Sequence, residues 1–325
     1  ARDANPKLYQ YITINVKPER SLNRRASRRE NWWLFGENAP MFRKSSKHIP
    51  RYVATCRTAK HRIFTFLNTD TIPDAKILAI SLEESSYLAM LSSSAHCVWA
   101  FNTGAFLEDR PNYNHADCFN KFPFPDLQDG ELKTQLTELG EKLDSFRKAR
   151  QAEHPTLTLT GMYNVLEKLR RNEPLTDKDK TIHDQGLVTI LQQIHDDIDR
   201  LTYEAYGWQD IWKWQQDANS GTCYNPETSI TTSLELDENT GIHEATAEYR
   251  EKYEQVLLQR LVDLNHERAA EEATGNIRYL RPEFQDPNYD KDNKETEQQA
   301  TQTQIQIGLT GTENAEEAKA LVSVI

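Results

Sequence analysis

The sequence predicts an α+β protein, with a mixed α/β domain followed by an α-helical bundle domain and a disordered tail. Three observations carry this prediction. Residues 51–82 contain runs rich in Val, Ile, Thr, Tyr and Phe, which favour strands. Over much of residues 84–273, apolar residues recur at helical spacing. After residue 285, Gln, Thr and Glu dominate, and too little apolar material remains to form a core.

The mixed domain is predicted to contain three strands and one helix. The first two strands are RYVATCR and RIFTFL, separated by the polar residues TAKH, and the third is KILAISL at residues 76–82. Beyond Glu84 the period becomes helical, with apolar positions at Tyr87, Leu88, Leu91, Ala95, Val98 and Trp99. Gly104 is placed to end this helix.

Three further helices are predicted, each with one apolar stripe. The first is marked by Leu132, Leu136, Leu139 and Leu143. The second is a long helix that opens with a capping box at Thr176 and Asp179 and carries Leu187, Ile190, Leu191, Ile194, Ile198 and Leu201. The third extends from about Ala245 to Ala273, with Gly275 as its stop. Charged helices of this kind form bundles.

Composition excludes several classes of protein. No apolar run approaches the roughly 18 residues needed to cross a bilayer, and the N-terminus has no apolar signal-peptide core. We therefore expect a cytoplasmic protein with no membrane partner. The cysteines are Cys56, Cys97, Cys118 and Cys223, and none of them forms a C-x-x-C pair. This spacing argues against a zinc site and against a disulfide framework.

Charge is divided unevenly along the chain. The formal net charge is -11, yet residues 1–70 carry 15 Lys and Arg against 5 Asp and Glu. A basic end on an acidic chain is typical of a protein that meets a polyanion there. The densest stretch is KPERSLNRRASRRE at residues 17–30, which could also be a solvated basic loop. Trp32, Trp33 and Phe35 follow it, and we favour core packing over base stacking for these rings.

A second group of cations lies within the predicted strands. Residues 51–67 contain no carboxylate, and their basic residues are Arg51, Arg57, Lys60, His61 and Arg62. A half-buried strand pair would leave these side chains on one exposed face. There they would either remain in water or bind a polyanion.

The sequence motifs of several enzyme classes are absent from this sequence or only partly matched. A site for S-adenosylmethionine needs a Gly-rich turn after a strand, and the 12 glycines form no such cluster. Adenine amino-methyltransferases need an N-P-P-[FYW] tetrapeptide, of which N-P-K at residues 5–7 is only a near miss. P-D at residues 73–74 and E-L-K at residues 131–133 match the letters of a magnesium nuclease, but the latter lies in a predicted helix beyond the sheet. His183 and His195 are expected to have surface or packing roles, so we expect no metal site.

Several long motifs resemble the C-terminal part of MmeI-like (type IIL) DNA methyltransferase and restriction-modification enzymes. RYVATCRTAKHRIFTFL, IPDAKILAI, LAMLSSSAHCVWAF and GAFLEDRPNYNHADCFNKFPFP resemble the target recognition domain of that family. YNVLEKLRRNEPLTDKDKTIHDQGL, IHDDIDRLTYEAYGW and LLQRLVDLNHERAAEEATGNIRYLRPEFQ resemble its C-terminal helical domain. The resemblance as a whole covers about residues 20–285, and its motifs stand in the family's order.

The resemblance implies an order of domains. Residues 1–30 would be a basic segment that continues from a methyltransferase core missing from this chain. Residues 31–125 would be the target recognition domain, residues 126–284 the C-terminal helical domain, and residues 285–325 the disordered acidic tail. This chain would then be part of a larger enzyme or a separately encoded remnant.

The resemblance also implies a function, namely sequence-specific recognition of double-stranded DNA for an adenine-specific (exocyclic amine) methyltransferase of a restriction-modification or phage-defence system. The partner would be an upstream methyltransferase domain or subunit, which would hold S-adenosylmethionine. This chain alone would bind no cofactor and be inactive. The alternative is a stand-alone DNA- or partner-binding defence or scaffold protein without methylation activity. A third possibility, an autonomous nuclease, would cleave DNA with magnesium.

Residue roles follow from the same resemblance. In the family, the segment TGAFLEDRPNYNHADCF carries base-contacting residues, which places Glu108 and Arg110 as DNA base-reading residues. A local ion pair between these two is the alternative. Arg51, Arg57, Lys60, His61 and Arg62 would contact the DNA backbone, which gives affinity without sequence information. The F-P-F-P sequence at residues 122–125 is interpreted as structural, with its two rings filling the seam with the helical domain.

Overall fold

The computed structural model of the chain describes residues 4–34, 39–107, 110–220, 222–225, 230–233 and 244–289. It divides into two compact units, Ala1–Asn265 and His266–Ile325. The elements in chain order are α1 (Pro6–Asn15), α2 (Lys17–Ser21), α3 (Ala26–Glu30), α4 (Pro40–Ser45), β1 (Arg51–Cys56), β2 (Phe64–Asn68), β3 (Ile77–Ile80), α5 (Ser85–Ser92), α6 (Ser94–Thr103), β4 (Ala105–Leu107), β5 (Arg110–Asn112), a π-helical turn (His115–Phe119), α7 (Glu131–Glu153), α8 (Leu159–Arg170), α9 (Asp177–Gly186), α10 (Val188–Tyr206), α11 (Gln209–Ser220), β6 (Thr222–Asn225), β7 (Ile230–Ser233), α12 (Glu244–Ala273) and α13 (Pro282–Gln285). The predicted α+β class is confirmed.

The three predicted strands form one antiparallel sheet in the order β2-β1-β3. Val53 of β1 lies opposite Phe66 of β2 and Ile80 of β3. Because side chains alternate between faces, Tyr52 and Ala54 point the other way, where Phe42 of α4 packs against them. The sheet therefore has an apolar layer on both faces.

Helix α7 covers the free edge of β2 with polar side chains. Asp144 accepts hydrogen bonds from the Phe66 backbone N–H at 3.2 Å and from the Thr65 hydroxyl at 2.6 Å. Arg147 and Lys148 donate to the carbonyl oxygens of Phe64 and Phe66. These contacts satisfy backbone groups that a fourth strand would otherwise pair.

A second apolar cluster joins the F-P-F-P segment to the helices that follow it. Phe122 is buried against Trp99 of α6, and the cluster includes Tyr203, Ile211, Tyr253, Leu257 and Leu261. The Tyr206 hydroxyl donates to the Pro123 carbonyl oxygen at 2.9 Å. The structural interpretation of residues 122–125 is thereby confirmed.

Two predicted helices are each divided in two. The helix after Glu84 breaks at Ser93, whose hydroxyl caps α6 by accepting from the His96 N–H at 3.4 Å. The long helix breaks at Leu187, which is left-handed with φ 45°, so that α9 ends and α10 begins there. The capping box at Thr176 and Asp179 is confirmed as the start of α9.

The other sequence predictions have mixed outcomes. Residues 17–30, considered as a possible loop, contain α2 and α3. Helix α8 was not predicted, although Thr158 caps it and its apolar residues recur at helical spacing. The predicted disordered tail lies outside the described residues from residue 290 onward, and the domain boundaries remain predictions. Among the described residues, no helix is long and apolar enough to cross a membrane.

Gly140 sets the close approach of α7 to α5. A Cβ at this position would lie 2.0 Å from the Ser85 carbonyl oxygen, which is backbone and cannot rotate away. We expect Gly140→Ala to lower the free energy of unfolding by about 1–3 kcal/mol, because the helices must separate. Urea unfolding monitored by circular dichroism measures this. The control is Gly161→Ala in α8, where the nearest atom is a Thr158 hydroxyl at 3.2 Å, and an equal loss there would contradict the steric explanation.

Candidate nucleic-acid interface

The segment TGAFLEDRPNYNHADCF, which carries the predicted base-reading residues, contains a β-hairpin. β4 and β5 pair antiparallel, with Leu107 opposite Arg110. Glu108 lies outside the described residues, and its ion pair with Arg110 stays an open alternative. Arg110 is exposed and has no ion pair with any residue that the structure describes. These two strands were not predicted, because three-residue strands are too short to show an alternating pattern.

Backbone hydrogen bonds attach the hairpin to the segment that follows β1. The Tyr113 N–H donates to the Arg57 carbonyl oxygen at 2.7 Å, and Thr58 and Asn112 form a β-bridge. Gly104 stands directly before β4, where a larger residue would not fit, since a Cβ there would lie 2.7 Å from the Ala100 carbonyl oxygen. The chain segments that carry Arg57 and Arg110 are thus joined side by side.

Arg51 has its hydrogen-bonding groups engaged within the protein. Its guanidinium forms a two-pronged ion pair with Glu141 of α7, with one contact of 3.0 Å, and lies 3.8 Å from the centre of the Phe66 ring. It also donates to the Ser85 hydroxyl at 2.9 Å and the Glu83 carbonyl oxygen at 3.1 Å. The hydrogen bond from Arg51 lowers the pKa of Glu141, and burial opposes this. A phosphate contact by Arg51 would have to displace Glu141.

Lys60 and His61 both contact α8. The Lys60 ammonium lies 2.9 Å from a Glu167 carboxylate oxygen and 3.0 Å from the Asn164 side-chain oxygen. His61 Nε2 lies 2.8 Å from that same Asn164 oxygen. Lys60 is still largely exposed, and exposed ion pairs of this kind contribute only about 0–1 kcal/mol. Its ammonium can therefore exchange Glu167 for another anion at small cost.

Arg62 is buried, so the expectation that its side chain lies on an exposed face was wrong. It is only 5% exposed, with its guanidinium 4.8 Å from the centre of the Tyr113 ring. It donates to the Thr55 hydroxyl at 3.2 Å and to the Cys56 carbonyl oxygen. Burial lowers the pKa of Arg62. Arg62 would have to leave this position to contact a phosphate.

Arg57 differs from the other four predicted cations. It is exposed, and its Nε donates to the Ala75 carbonyl oxygen at 3.2 Å. Within the described part of the chain, no carboxylate forms an ion pair with it. Arg57 and Lys60 are thus the two cations of residues 51–62 whose charge faces solvent beside the hairpin.

The basic segment at residues 17–30 presents further exposed cations. Arg24, Arg25 and Arg29 are exposed, and Arg29 donates to the Asn23 carbonyl oxygen at 2.8 Å. Trp32 is buried, with its ring 5.9 Å from that of Tyr9, which confirms core packing for this residue. Trp33 is about half exposed, and Phe35 lies outside the described residues.

The remaining candidates take packing or surface positions. His195 is buried and lies 2.8 Å from the Tyr163 hydroxyl, whereas His183 contacts Thr189 at the surface. Cys56, Cys97 and Cys118 are free thiols. No group of three metal-ligating side chains is present among the described residues. The side chain of Cys223 is not among those that the structure describes.

The side chains that contact the predicted cations were not predicted. Glu141 is 90 positions from Arg51, and Asn164, whose side-chain oxygen accepts from Lys60, is 104 positions from Lys60. Residues 51–67 contain no carboxylate, and the acidic partners of Arg51 and Lys60 come from α7 and α8. Nothing near these cations in the sequence indicates either partner.

Comparisons with known proteins address the same region. Residues 5–126 match the family model described as MmeI, target recognition domain. A solved structure of the type IIL restriction-modification enzyme MmeI in complex with DNA is 19% identical, with a TM-score of 0.45. The alignment covers 62% of this chain, which spans 24% of that one. No curated protein matches the chain. The resemblance predicted from the sequence is confirmed for the part of the chain that the family model matches, residues 5–126.

Proposed function

We propose that this chain recognises a specific double-stranded DNA sequence for an adenine-specific methyltransferase of a restriction-modification system. One observation carries the proposal: within the matched domain, the hairpin that presents Arg110 is hydrogen-bonded to the segment that carries Arg57. Affinity for the phosphate backbone requires cations, and reading of base edges requires an element that fits into a groove. This arrangement supplies both.

The residues divide by what they can reach. Arg57 and Lys60 are suited to phosphates, since both are exposed and neither must break a buried contact. Arg110 is suited to a guanine, whose O6 and N7 can accept two hydrogen bonds from one guanidinium. Glu108 would accept from the cytosine amine of the same base pair. Arg51, His61 and Arg62 would support the interface from within, by the contacts described above.

Catalysis would take place in another domain or subunit. We place the S-adenosylmethionine site and the adenine-modifying residues in a methyltransferase partner, because the sequence motifs for both are missing here. The rival proposal is a stand-alone DNA- or partner-binding defence protein. An upstream reading frame with N-P-P-[FYW] and a Gly-rich cofactor motif would favour the first proposal over the second.

The test uses the enzyme reconstituted with that methyltransferase partner and a randomised library of duplex targets. We expect Arg110→Ala to cost about 1–3 kcal/mol on the cognate site and to relax preference at one base pair. Arg57→Ala should weaken binding to all duplexes alike and reduce the salt slope by about one unit.

The matched control is Arg200→Ala, which removes an exposed arginine on α10 that pairs with Glu204. It should change neither the affinity nor the preferred sequence. If Arg110→Ala lowers methylation of every site equally, the base-reading role of the hairpin is wrong.

A further inference from the structure

The β4–β5 hairpin presents two large apolar side chains to solvent. Phe106 is 61% exposed and Leu107 is 60% exposed, although they make up most of a three-residue strand. Successive strand residues point to opposite faces, so each face of the hairpin has one apolar side chain at the end of β4. A single exposed apolar residue is ordinary, but two in succession on a short two-stranded ribbon indicate a surface that is covered when the hairpin binds.

The neighbours of these side chains indicate what covers them. Leu107 lies opposite Arg110 across the hairpin and therefore shares its face, while Phe106 lies opposite Pro111. Arg57 is hydrogen-bonded through its backbone to the residue that follows β5. An apolar protein surface would be a poor match, because it would bury the charge of Arg110 without an acceptor. A polyanion that also offers apolar groups satisfies both requirements.

We propose that Leu107 and Phe106 contact the C5-methyl groups of thymine in the major groove, with Leu107 beside the base pair that Arg110 contacts. This inference rests on the proposed function. The major groove admits a two-stranded ribbon, and the thymine methyl is the apolar group that its base edges offer. The recognised sequence would then contain T·A pairs flanking the pair that Arg110 reads.

The experiment replaces thymine with uracil, which removes only the methyl group. Binding of the reconstituted enzyme to its cognate duplex is measured with each dT changed to dU in turn. We expect wild type to lose about fourfold in affinity at the contacted position, as for one buried methyl. Leu107→Ala should bind the dT and dU duplexes equally at that position. Phe106→Ala should lose the discrimination at a different position.

Leu8→Ala is the matched control, because Leu8 is also 60% exposed but lies on α1. It should keep the wild-type preference for dT at every position. The inference is overturned if wild type binds sequence-specifically yet never distinguishes dT from dU. It is also overturned if the hairpin variants weaken binding of the methyltransferase partner and leave DNA selectivity unchanged. Absence of any sequence preference in wild type would overturn the proposed function itself, so the two failures can be told apart.

Discussion

Replacing Asp144 with alanine is expected to lower the free energy of unfolding by about 3–5 kcal/mol, the usual cost of removing one partner from a buried charged group. Asp144 lies 3.8 Å from Arg147, which is only 2% exposed. It also accepts from the Phe66 N–H at 3.2 Å and the Thr65 hydroxyl at 2.6 Å. Alanine would leave a buried guanidinium without its carboxylate and a buried N–H without an acceptor.

Urea unfolding of the full chain, followed by tryptophan fluorescence, measures the effect of Asp144→Ala. Asp144→Asn should lose less, because its side-chain oxygen can still accept from the Phe66 N–H. Glu138→Ala removes an exposed carboxylate from the same helix and should change stability by no more than about 0.5 kcal/mol. A loss below about 1 kcal/mol for Asp144→Ala would show that the edge contacts contribute little.

The second large effect is acid destabilisation caused by a buried histidine. Burial, with a smaller contribution from the positive charge of Arg62, lowers the pKa of His96 to about 3. The imidazole donates or accepts at the Tyr113 hydroxyl, 2.9 Å away, and its ring lies 4.4 Å from that of Phe122. In the unfolded chain the same group has a pKa of about 6.5. The unfolded state therefore binds the proton first as the pH falls.

Because the pKa of His96 is lower in the folded than in the unfolded state, stability falls as the pH falls. The contribution of His96 to stability is fully present above about pH 6.5, and it is lost progressively between about pH 6.5 and pH 3. At pH 5 the loss from this one group is about 2 kcal/mol, and at pH 4 about 3 kcal/mol. His195 has its pKa lowered in the same direction by burial, and it adds to the effect.

Comparison of wild type with His96→Gln isolates this titration from that of the carboxylates. The variant should be less stable at pH 7 but should lose less stability than wild type between pH 7 and pH 5. The matched control is His183→Gln, whose surface position should leave the wild-type pH dependence unchanged. Parallel curves for wild type and His96→Gln would contradict the assignment, as would a His96 NMR resonance that titrates near pH 6.

A structural feature could be predicted from the sequence where neighbouring residues determine it, and not where distant residues do. The strands RYVATC and FTFLN and the capping box at Thr176 are determined by neighbouring residues, and they were predicted correctly. The break at Leu187 was not, because the left-handed residue is Leu187 itself, a residue type that seldom adopts that conformation, while Gly186 before it is still part of α9. The candidate site shows the same division. The basic character of residues 51–62 is evident in the sequence, but the burial of Arg62 depends on Tyr113, which lies far along the chain.

The cover that α7 gives to β2 has a consequence for transplanting the matched domain into another protein. The family match ends at residue 126, whereas α7 begins at Glu131. A polypeptide transplanted with only the matched residues would leave the Phe64 and Phe66 backbone groups open along one strand. Open edges of this kind template pairing with other chains and lead to aggregation. A graft that carries residues 5–153 would keep the edge closed, so the module that can be transplanted is longer than the range that the family model matches.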